Sequence, residues 1–159
     1  MSKEELILLL KRYKENKAKL KFKLKEKEKI LRQLENIEEV ELSPNILEIN
    51  SDIHSKNSIS DKTGNKASKN VDKKEELTSK LKEIEEEITI LNDLIEEIDI
   101  RLEVLRYREK VILMSYYIDG CTYEDIGNRL YYNLFQQTRT SRHIQRVVEK
   151  ATEKMLRLG

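Results

Sequence analysis

Apolar residues recur at alternating steps of four and three along residues 72–107. The stripe covers nine positions without interruption: Leu77, Leu81, Ile84, Ile88, Leu91, Ile95, Ile98, Leu102 and Leu105. This spacing is typical of a coiled-coil helix, in which such residues share one face. Ile90, Leu94 and Ile100 widen the stripe, which favours contact with more than one partner surface.

Residues 2–41 show a weaker form of the same pattern and contain no Gly or Pro. The predicted stripe runs through Leu6, Leu10, Tyr13, Leu20, Leu24, Leu31 and Leu34, with Lys17 and Lys27 in the remaining positions. Pro44 ends the predicted helix, because proline cannot continue a helix and disfavours helical backbone at the residue before it. Residues 43–70 are rich in Ser, Asn, Asp, Lys and Thr, a composition that predicts a polar loop.

Charge is segregated along the chain, although the formal net charge is only +1. Residues 3–32 hold twelve Lys or Arg against five Glu, whereas residues 72–103 hold five Lys or Arg against twelve acids. Opposite charges on two helical stripes favour their pairing. We therefore expect an all-α fold, with a long antiparallel helical hairpin over residues 2–107. The competing arrangement is an intermolecular coiled coil, and the widened stripe of 72–107 also favours association of copies into a homodimer or higher oligomer.

A different pattern begins at residue 108 and predicts a small C-terminal domain over 108–159. Residues 108–120 fit a helix ending at Gly120, because glycine readily takes the left-handed backbone of a helix stop. Thr122, with Asp125 three residues later, predicts the start of a second helix. Gly127 lowers helix propensity, so we expect another helix to pack closely against it.

The last helix is predicted to begin at Thr140 or Ser141. Its apolar positions are Ile144, Val147, Val148, Ala151, Met155 and Leu158, at helical spacing. Its first turn is basic, which opposes the helix dipole, and this is explained if the surface meets phosphates and base edges. The candidate DNA-binding residues are Arg129, Arg139, Ser141, Arg142, His143, Gln145 and Arg146. Of these, Arg129 and Arg139 are predicted to contact phosphates.

Catalytic and metal chemistry find no support in the sequence. Cys121 is the single cysteine, and neither His54 nor His143 is placed to serve it as a base. A Cys/His cluster and a Gly-rich phosphate loop are both missing, so we expect neither an enzyme nor a cofactor. The lone cysteine and the lack of an apolar run of about 20 residues predict a cytoplasmic protein without a membrane segment.

These residues resemble a known family. REKVILMSYYIDGCTYEDIGNRL, followed by TSRHIQRVVEKATEKM, is similar to the region-4-like helix-turn-helix of sigma factors. The chain looks closer still to the late-gene transcription regulators of Gram-positive phages, the RinA/ArpU type. The resemblance implies a sequence-specific regulator that binds double-stranded DNA and activates phage or prophage genes, with RNA polymerase as a further candidate partner.

The chain departs from that family between Leu130 and Ser141, where a tight turn is expected. The insertion YYNLFQQTRT either extends the second helix or starts the third one early. We expect its aromatic residues, Tyr131, Tyr132 and Phe135, to fill the core rather than stack on bases.

Three other functions stay open at this point. A phage DNA-packaging protein of the small terminase kind also combines a helix-turn-helix with oligomerising helices. A sigma-like factor that binds core polymerase would need aromatic residues to melt a promoter, and the first helix has only Tyr13 and Phe22. A coiled-coil assembly module would have no nucleic-acid role at all.

Overall fold

The computed structural model describes residues 1–42 and 62–158. Every regular element within those residues is a helix, which confirms the all-α fold class. The five helices are α1 (Lys3–Leu42), α2 (Lys62–Glu103), α3 (Tyr107–Tyr117), α4 (123–135) and α5 (Ser141–Leu156). Helix α4 consists of an α-helical turn, a π-helical turn and a second α-helical segment: Tyr123–Asp125, Ile126–Leu130 and Tyr131–Phe135.

Helix α2 starts earlier and ends sooner than the sequence predicted. It begins at Lys62, so the predicted loop is wrong for residues 62–70, while the remainder, 43–61, lies outside the described residues. Extending an existing helix gains one hydrogen bond for each residue fixed, so a stretch without proline can continue it. At the other end α2 stops at Glu103, and Leu105 N–H donates to the Leu102 carbonyl in a tight turn.

Contacts divide the chain into two compact units. Unit 1 comprises Met1–Lys21 and Thr89–Gly159, and unit 2 comprises Phe22–Ile88. Helices α1 and α2 therefore contribute residues to both. This division does not coincide with the boundary expected between 107 and 108, because unit 1 includes the start of α1 and the end of α2 together with α3, α4 and α5.

The core of unit 1 joins the C-terminal helices to the ends of the long ones. Its buried members are Leu6, Leu10, Tyr13, Ile95, Ile98, Leu102, Leu105, Leu113, Ala151 and Met155. Each fully buried aliphatic side chain contributes about 1.5–3 kcal/mol relative to an exposed one. Leu113 on α3 and Met155 on α5 thus anchor those helices on α1 and α2.

Arg101 is a buried charge in unit 1 with a structural role. Its Nε donates to Glu97 Oε1 at 2.7 Å, and its Nη1 donates to the carbonyl oxygen of Met155 at 2.5 Å. The last carbonyls of a helix have no partner within the helix. Arg101 supplies one to the end of α5, so α2 holds that end by a charged hydrogen bond as well as by apolar packing.

In unit 2, α1 and α2 run antiparallel and carry complementary charges. Among the residues that the structure describes, three ion pairs join them: Lys23–Glu87 at 2.8 Å, Lys27–Glu85 at 2.8 Å and Lys74–Glu38 at 3.2 Å. Partner numbers on α2 fall as those on α1 rise, which defines the antiparallel direction. Exposed pairs of this kind contribute about 0–1 kcal/mol each, so they select the register more than they stabilise it.

The apolar stripe predicted on α1 is wrong in unit 2 at Leu24 and Leu31, whereas its last position, Leu34, is half-buried. Leu24 and Leu31 are exposed, whereas Ile30 is only 5% exposed. Lys23 and Lys27 occupy positions from which their ammonium groups reach acids on α2, and the leucines lie beside the contact rather than in it. Spacing alone favoured Leu24 and Leu31, and only the folded chain shows that the neighbouring residues Lys23 and Ile30 face the contact instead.

The stripe predicted on α2 is correct, since all nine of its residues are buried or half-buried. Of the three residues expected to widen it, Leu94 is half-buried, and Ile90 and Ile100 are exposed. The predicted association of copies through 72–107 stays a prediction, and these two isoleucines are among the exposed apolar side chains of that segment.

Substituting neighbouring residues on α1 separates the two registers. We expect Ile30→Ala to destabilise the protein by about 2–4 kcal/mol, because it empties a buried position. We expect Leu31→Ala, which removes a side chain that is 39% exposed, to cost less than about 1 kcal/mol. Urea denaturation followed by circular dichroism measures both. Equal losses, or a larger loss for Leu31→Ala, would show that the leucine stripe faces α2.

Candidate nucleic-acid interface

A tight connection reverses the chain between α3 and α4. Gly120 has φ of 70°, the left-handed conformation predicted for it, and Cys121 N–H donates to the Ser115 carbonyl at 3.0 Å. Thr122 then caps α4, its Oγ1 accepting from Asp125 N–H at 3.1 Å. The Thr122 hydroxyl also donates to Asp125 Oδ2 at 2.7 Å, in place of the reciprocal bond of a capping box. The predicted start of the second helix is thus confirmed.

Gly127, in the π-helical turn of α4, meets the backbone that leads into α5. A Cβ on Gly127 would overlap the carbonyl oxygen of Arg139 and lie 3.4 Å from Cγ1 of Ile144. Its own carbonyl accepts a hydrogen bond from Arg139 N–H at 3.0 Å. The close approach expected at this glycine is present, and it is made first by the backbone preceding α5 and then by α5 itself.

The insertion extends α4. The helix continues to Phe135 and ends at Gln136, which has φ of 55°. Tyr131 is buried and Phe135 is half-buried in a core with Ile126 and Ile144, as predicted. Tyr132 is 51% exposed, so its predicted core role is wrong, because it projects about 100° around the helix axis from the buried Tyr131.

Helix α5 starts as predicted and buries one face. Thr140 is the N-cap, its Oγ1 accepting from His143 N–H at 3.3 Å. Ile144, Val148, Ala151 and Met155 are fully buried at steps of four, three and four. Leu158 lies beyond the end of the helix and is exposed, so its predicted place in the apolar face is wrong.

The candidate DNA-binding residues are all exposed: Arg129, Arg139, Ser141, Arg142, His143, Gln145 and Arg146. Five of them lie in the first six residues of α5, and we call these five the basic face. Arg142 and Arg146 point away from the buried face, and neither forms an ion pair with any residue that the structure describes. Gln145 Nε2 donates to Glu149 Oε1 at 3.0 Å. Arg139 immediately precedes this face, whereas Arg129 lies on α4.

Two arginines rest on aromatic rings of the insertion. The Arg139 guanidinium lies 5.6 Å from the Tyr131 ring centre, and its Nη2 donates to Gln137 Oε1 at 2.9 Å. The Arg108 guanidinium lies 4.7 Å from the Phe135 ring centre. The two rings pack against each other with centres 4.8 Å apart. Sequence reasoning missed Arg108, since only the folded chain shows that α3 brings it onto Phe135.

A groove of about 430 Å³ lies between the start of α3 and one flank of α5. The residues lining it are Arg106, Tyr107, Arg108, Glu109, Ile112, Tyr131, His143, Val147 and Lys150. We call it the basic groove. Neither Arg106 nor Lys150 was among the candidate residues predicted from the sequence. Steps of four and three from His143 through Val147 to Lys150 place those residues on one flank of α5, a signal that was present in the sequence.

Glu109, the acid in the basic groove, is held by other groups. Its Oε1 lies 2.5 Å from Lys154 Nζ, and its Oε2 accepts from Arg106 N–H at 3.1 Å. The Lys154 hydrogen bond is the main reason that the pKa of this carboxyl is lowered, and the Arg106 backbone N–H acts in the same direction. Glu109 is therefore ionised and paired with Lys154, and its charge also attracts Arg106, so Arg108 and Lys150 are the groove cations that it does not pair.

Metal binding and membrane spanning gain no support from the described part of the chain. Across residues 1–42 and 62–158, the structure groups no three His, Cys, Asp or Glu side chains that could hold a metal ion. No helix in that part of the chain is both long and apolar enough to cross a bilayer. Cys121 is half-buried and packs against the core that contains Ile126 and Tyr131.

A scan against protein-family models finds no match, and searches of curated proteins and of solved structures find none either.

Replacing Gly127 tests the backbone contact that holds α5. Helix propensity alone predicts that Gly127→Ala stabilises the protein by about 1 kcal/mol. Because main-chain atoms occupy the space for a Cβ, we expect a loss of at least about 2 kcal/mol instead, measured by urea denaturation.

Gly120→Ala is the matched control. No atom lies within 4 Å of a Cβ at that position, so its cost comes only from left-handed backbone, about 1–2 kcal/mol. If Gly127→Ala is as stable as the unchanged protein, α4 and the start of α5 separate easily and the contact does not hold them.

Proposed function

We propose that the protein is a sequence-specific DNA-binding transcription regulator in which α4 and α5 form a helix-turn-helix. The first half of α5 enters the major groove of duplex DNA. One observation carries this proposal: Arg142 and Arg146 project together from a helix whose other side is buried, and neither forms an ion pair with an acid that the structure describes. Arginine fits the O6 and N7 acceptors of guanine in the major groove with two hydrogen bonds.

The surroundings of α5 suit such a role because they hold the helix while leaving its outer side unoccupied. The Gly127–Arg139 backbone contact fixes its start, and the Arg101 bond to the Met155 carbonyl holds its end. A helix held at both ends presents its side chains in a fixed geometry, which lowers the entropy lost on binding.

The polar residues divide into two roles by position. Arg142 and Arg146 are proposed to contact base edges, with Gln145 as a candidate for adenine. Ser141 and Arg139, at the entrance to α5, and Arg129, on α4, are proposed to contact phosphates. Glu149 and Glu153 are exposed further along α5, where they would repel phosphates. The charge pattern therefore supports insertion of the first half of the helix alone.

The resemblance to sigma region 4 and to the RinA/ArpU type of phage regulator supports the same proposal and makes it narrower. It favours an activator of phage or prophage genes that works in the cytoplasm, with RNA polymerase as a candidate partner. Association of two copies through α2 belongs to this proposal, since many helix-turn-helix proteins bind two half-sites as dimers.

The exposed isoleucines on α2 also favour a second function. Ile90 and Ile100 could support assembly of many copies, as in a DNA-packaging protein of the small terminase kind. The mass in solution separates the two, because a monomer or dimer fits regulation and a ring of many subunits fits packaging. Sedimentation equilibrium of the full chain measures it.

Substituting the two outward arginines tests the base-reading role. A preferred duplex is first selected from a random library, and binding is then measured by fluorescence anisotropy. We expect Arg142→Ala/Arg146→Ala to weaken binding to that duplex by at least about 30-fold, because each lost bidentate contact costs about 1–3 kcal/mol. Helicity by circular dichroism should not change, since both side chains are exposed.

Lys11→Ala/Arg12→Ala is the matched control, because it removes the same charge from exposed positions on α1. It should bind as the unchanged protein does. If the unchanged protein selects no sequence and binds no duplex even at about 50 mM salt, the proposed function is wrong.

A further inference from the structure

We propose that the basic groove binds the phosphodiester backbone of the same duplex that α5 reads, with Arg108 and Lys150 as phosphate ligands. This inference rests on the proposed function and extends it to residues on α3 and on the flank of α5. It also gives the insertion in α4 a role, which is to position arginines for this contact.

Charge and size both fit a backbone segment. Arg106, Arg108 and Lys150 line the groove together with His143, and the pairing of Glu109 with Lys154 removes its one acid from competition. Lys150 forms no ion pair with any other described residue. The volume, about 430 Å³, falls at the lower end of the range, roughly 300–1,000 Å³, of sites that enclose small ligands. Cations from two helices thus converge on a space that suits a phosphate and its sugar.

The position of the groove beside α5 selects the ligand. A helix with its side chains is about 10–12 Å across and fills a major groove about 12 Å wide, so phosphate backbones run along both of its flanks. His143, Val147 and Lys150 form one such flank and also line the basic groove. When Arg142 and Arg146 face the bases, this flank faces a phosphate strand. His143 is therefore assigned to the phosphates rather than to a base edge.

The aromatic insertion explains how Arg108 is held in place. Its guanidinium stacks on Phe135, which packs on Tyr131, which in turn lies under Arg139. A cation over an aromatic ring is attracted by about 0.5–1 kcal/mol at an exposed site. The rings take up none of the five guanidinium N–H groups, and Arg139 gives only one described bond, from Nη2 to Gln137, so both arginines keep donors for a phosphate. The two rings thus form one platform that holds two cations.

Salt dependence measures phosphate contacts directly. For B-form DNA the slope of log K against log salt changes by about 0.9 for each phosphate contact. We expect Arg108→Ala/Lys150→Ala to lower the magnitude of this slope by about 1.8 between roughly 50 and 200 mM salt. The loss of affinity should be the same factor for the selected duplex and for one of mixed sequence. In contrast, Arg142→Ala/Arg146→Ala should reduce the preference between the two duplexes.

Two further variants make the result decisive. Lys11→Ala/Arg12→Ala controls for the loss of two positive charges and should keep the original slope. Lys150→Ala alone removes an exposed side chain, and it should lower the slope by about 0.9 even if the double variant folds poorly. A variant slope equal to that of the unchanged protein overturns the groove assignment while leaving the proposed function intact. Absence of DNA binding by the unchanged protein overturns both.

Discussion

The placement of α5 depends on a contact between two backbones that only glycine permits. Gly127 accepts a hydrogen bond from Arg139 N–H, and the Arg139 carbonyl occupies the space of a Cβ on the other side. Main-chain atoms cannot move aside by changing a rotamer, so this contact sets the start of α5 relative to α4. The buried side chains of Ile144 and Val148 then set its rotation. The outward side chains take no part in holding the helix and stay available to a partner.

The polar contacts of unit 1 are distributed in a way that keeps the start of α5 positive. Lys154 neutralises Glu109 by an ion pair. Glu149, which accepts a hydrogen bond from the neutral Gln145, keeps its charge but lies beyond the first six residues of α5. Arg108 and Arg139 are held by aromatic rings rather than by carboxylates. A ring supports a guanidinium without neutralising it, whereas an acid would do both. The aromatic rings of the insertion therefore hold two arginines near the start of α5 and leave their positive charge available to a bound anion.

The sequence correctly predicted features that depend on local chemistry, and it failed to predict features that depend on tertiary contacts. Local chemistry includes the stop at Gly120 and the caps at Thr122 and Thr140, which satisfy backbone groups within a few residues. In unit 2 the stripe of α1 was misassigned at Leu24 and Leu31, because the neighbouring Lys23 and Ile30 face the contact with α2 instead. Arg108 escaped notice for a similar reason, since its partner Phe135 lies 27 residues further along the chain.

Unit 1 contains both the proposed reading helix, α5, and the exposed isoleucines of α2. Ile90, Ile100 and α5 all belong to one compact unit, and Arg101 on α2 bonds to the last turn of α5. If two copies associated through those isoleucines, each α5 helix would keep a fixed position relative to the contact between the copies. Their separation would then be a property of unit 1, which does not include the helical segments 22–42 and 62–88. For a dimeric helix-turn-helix protein, that separation sets the spacing of the half-sites.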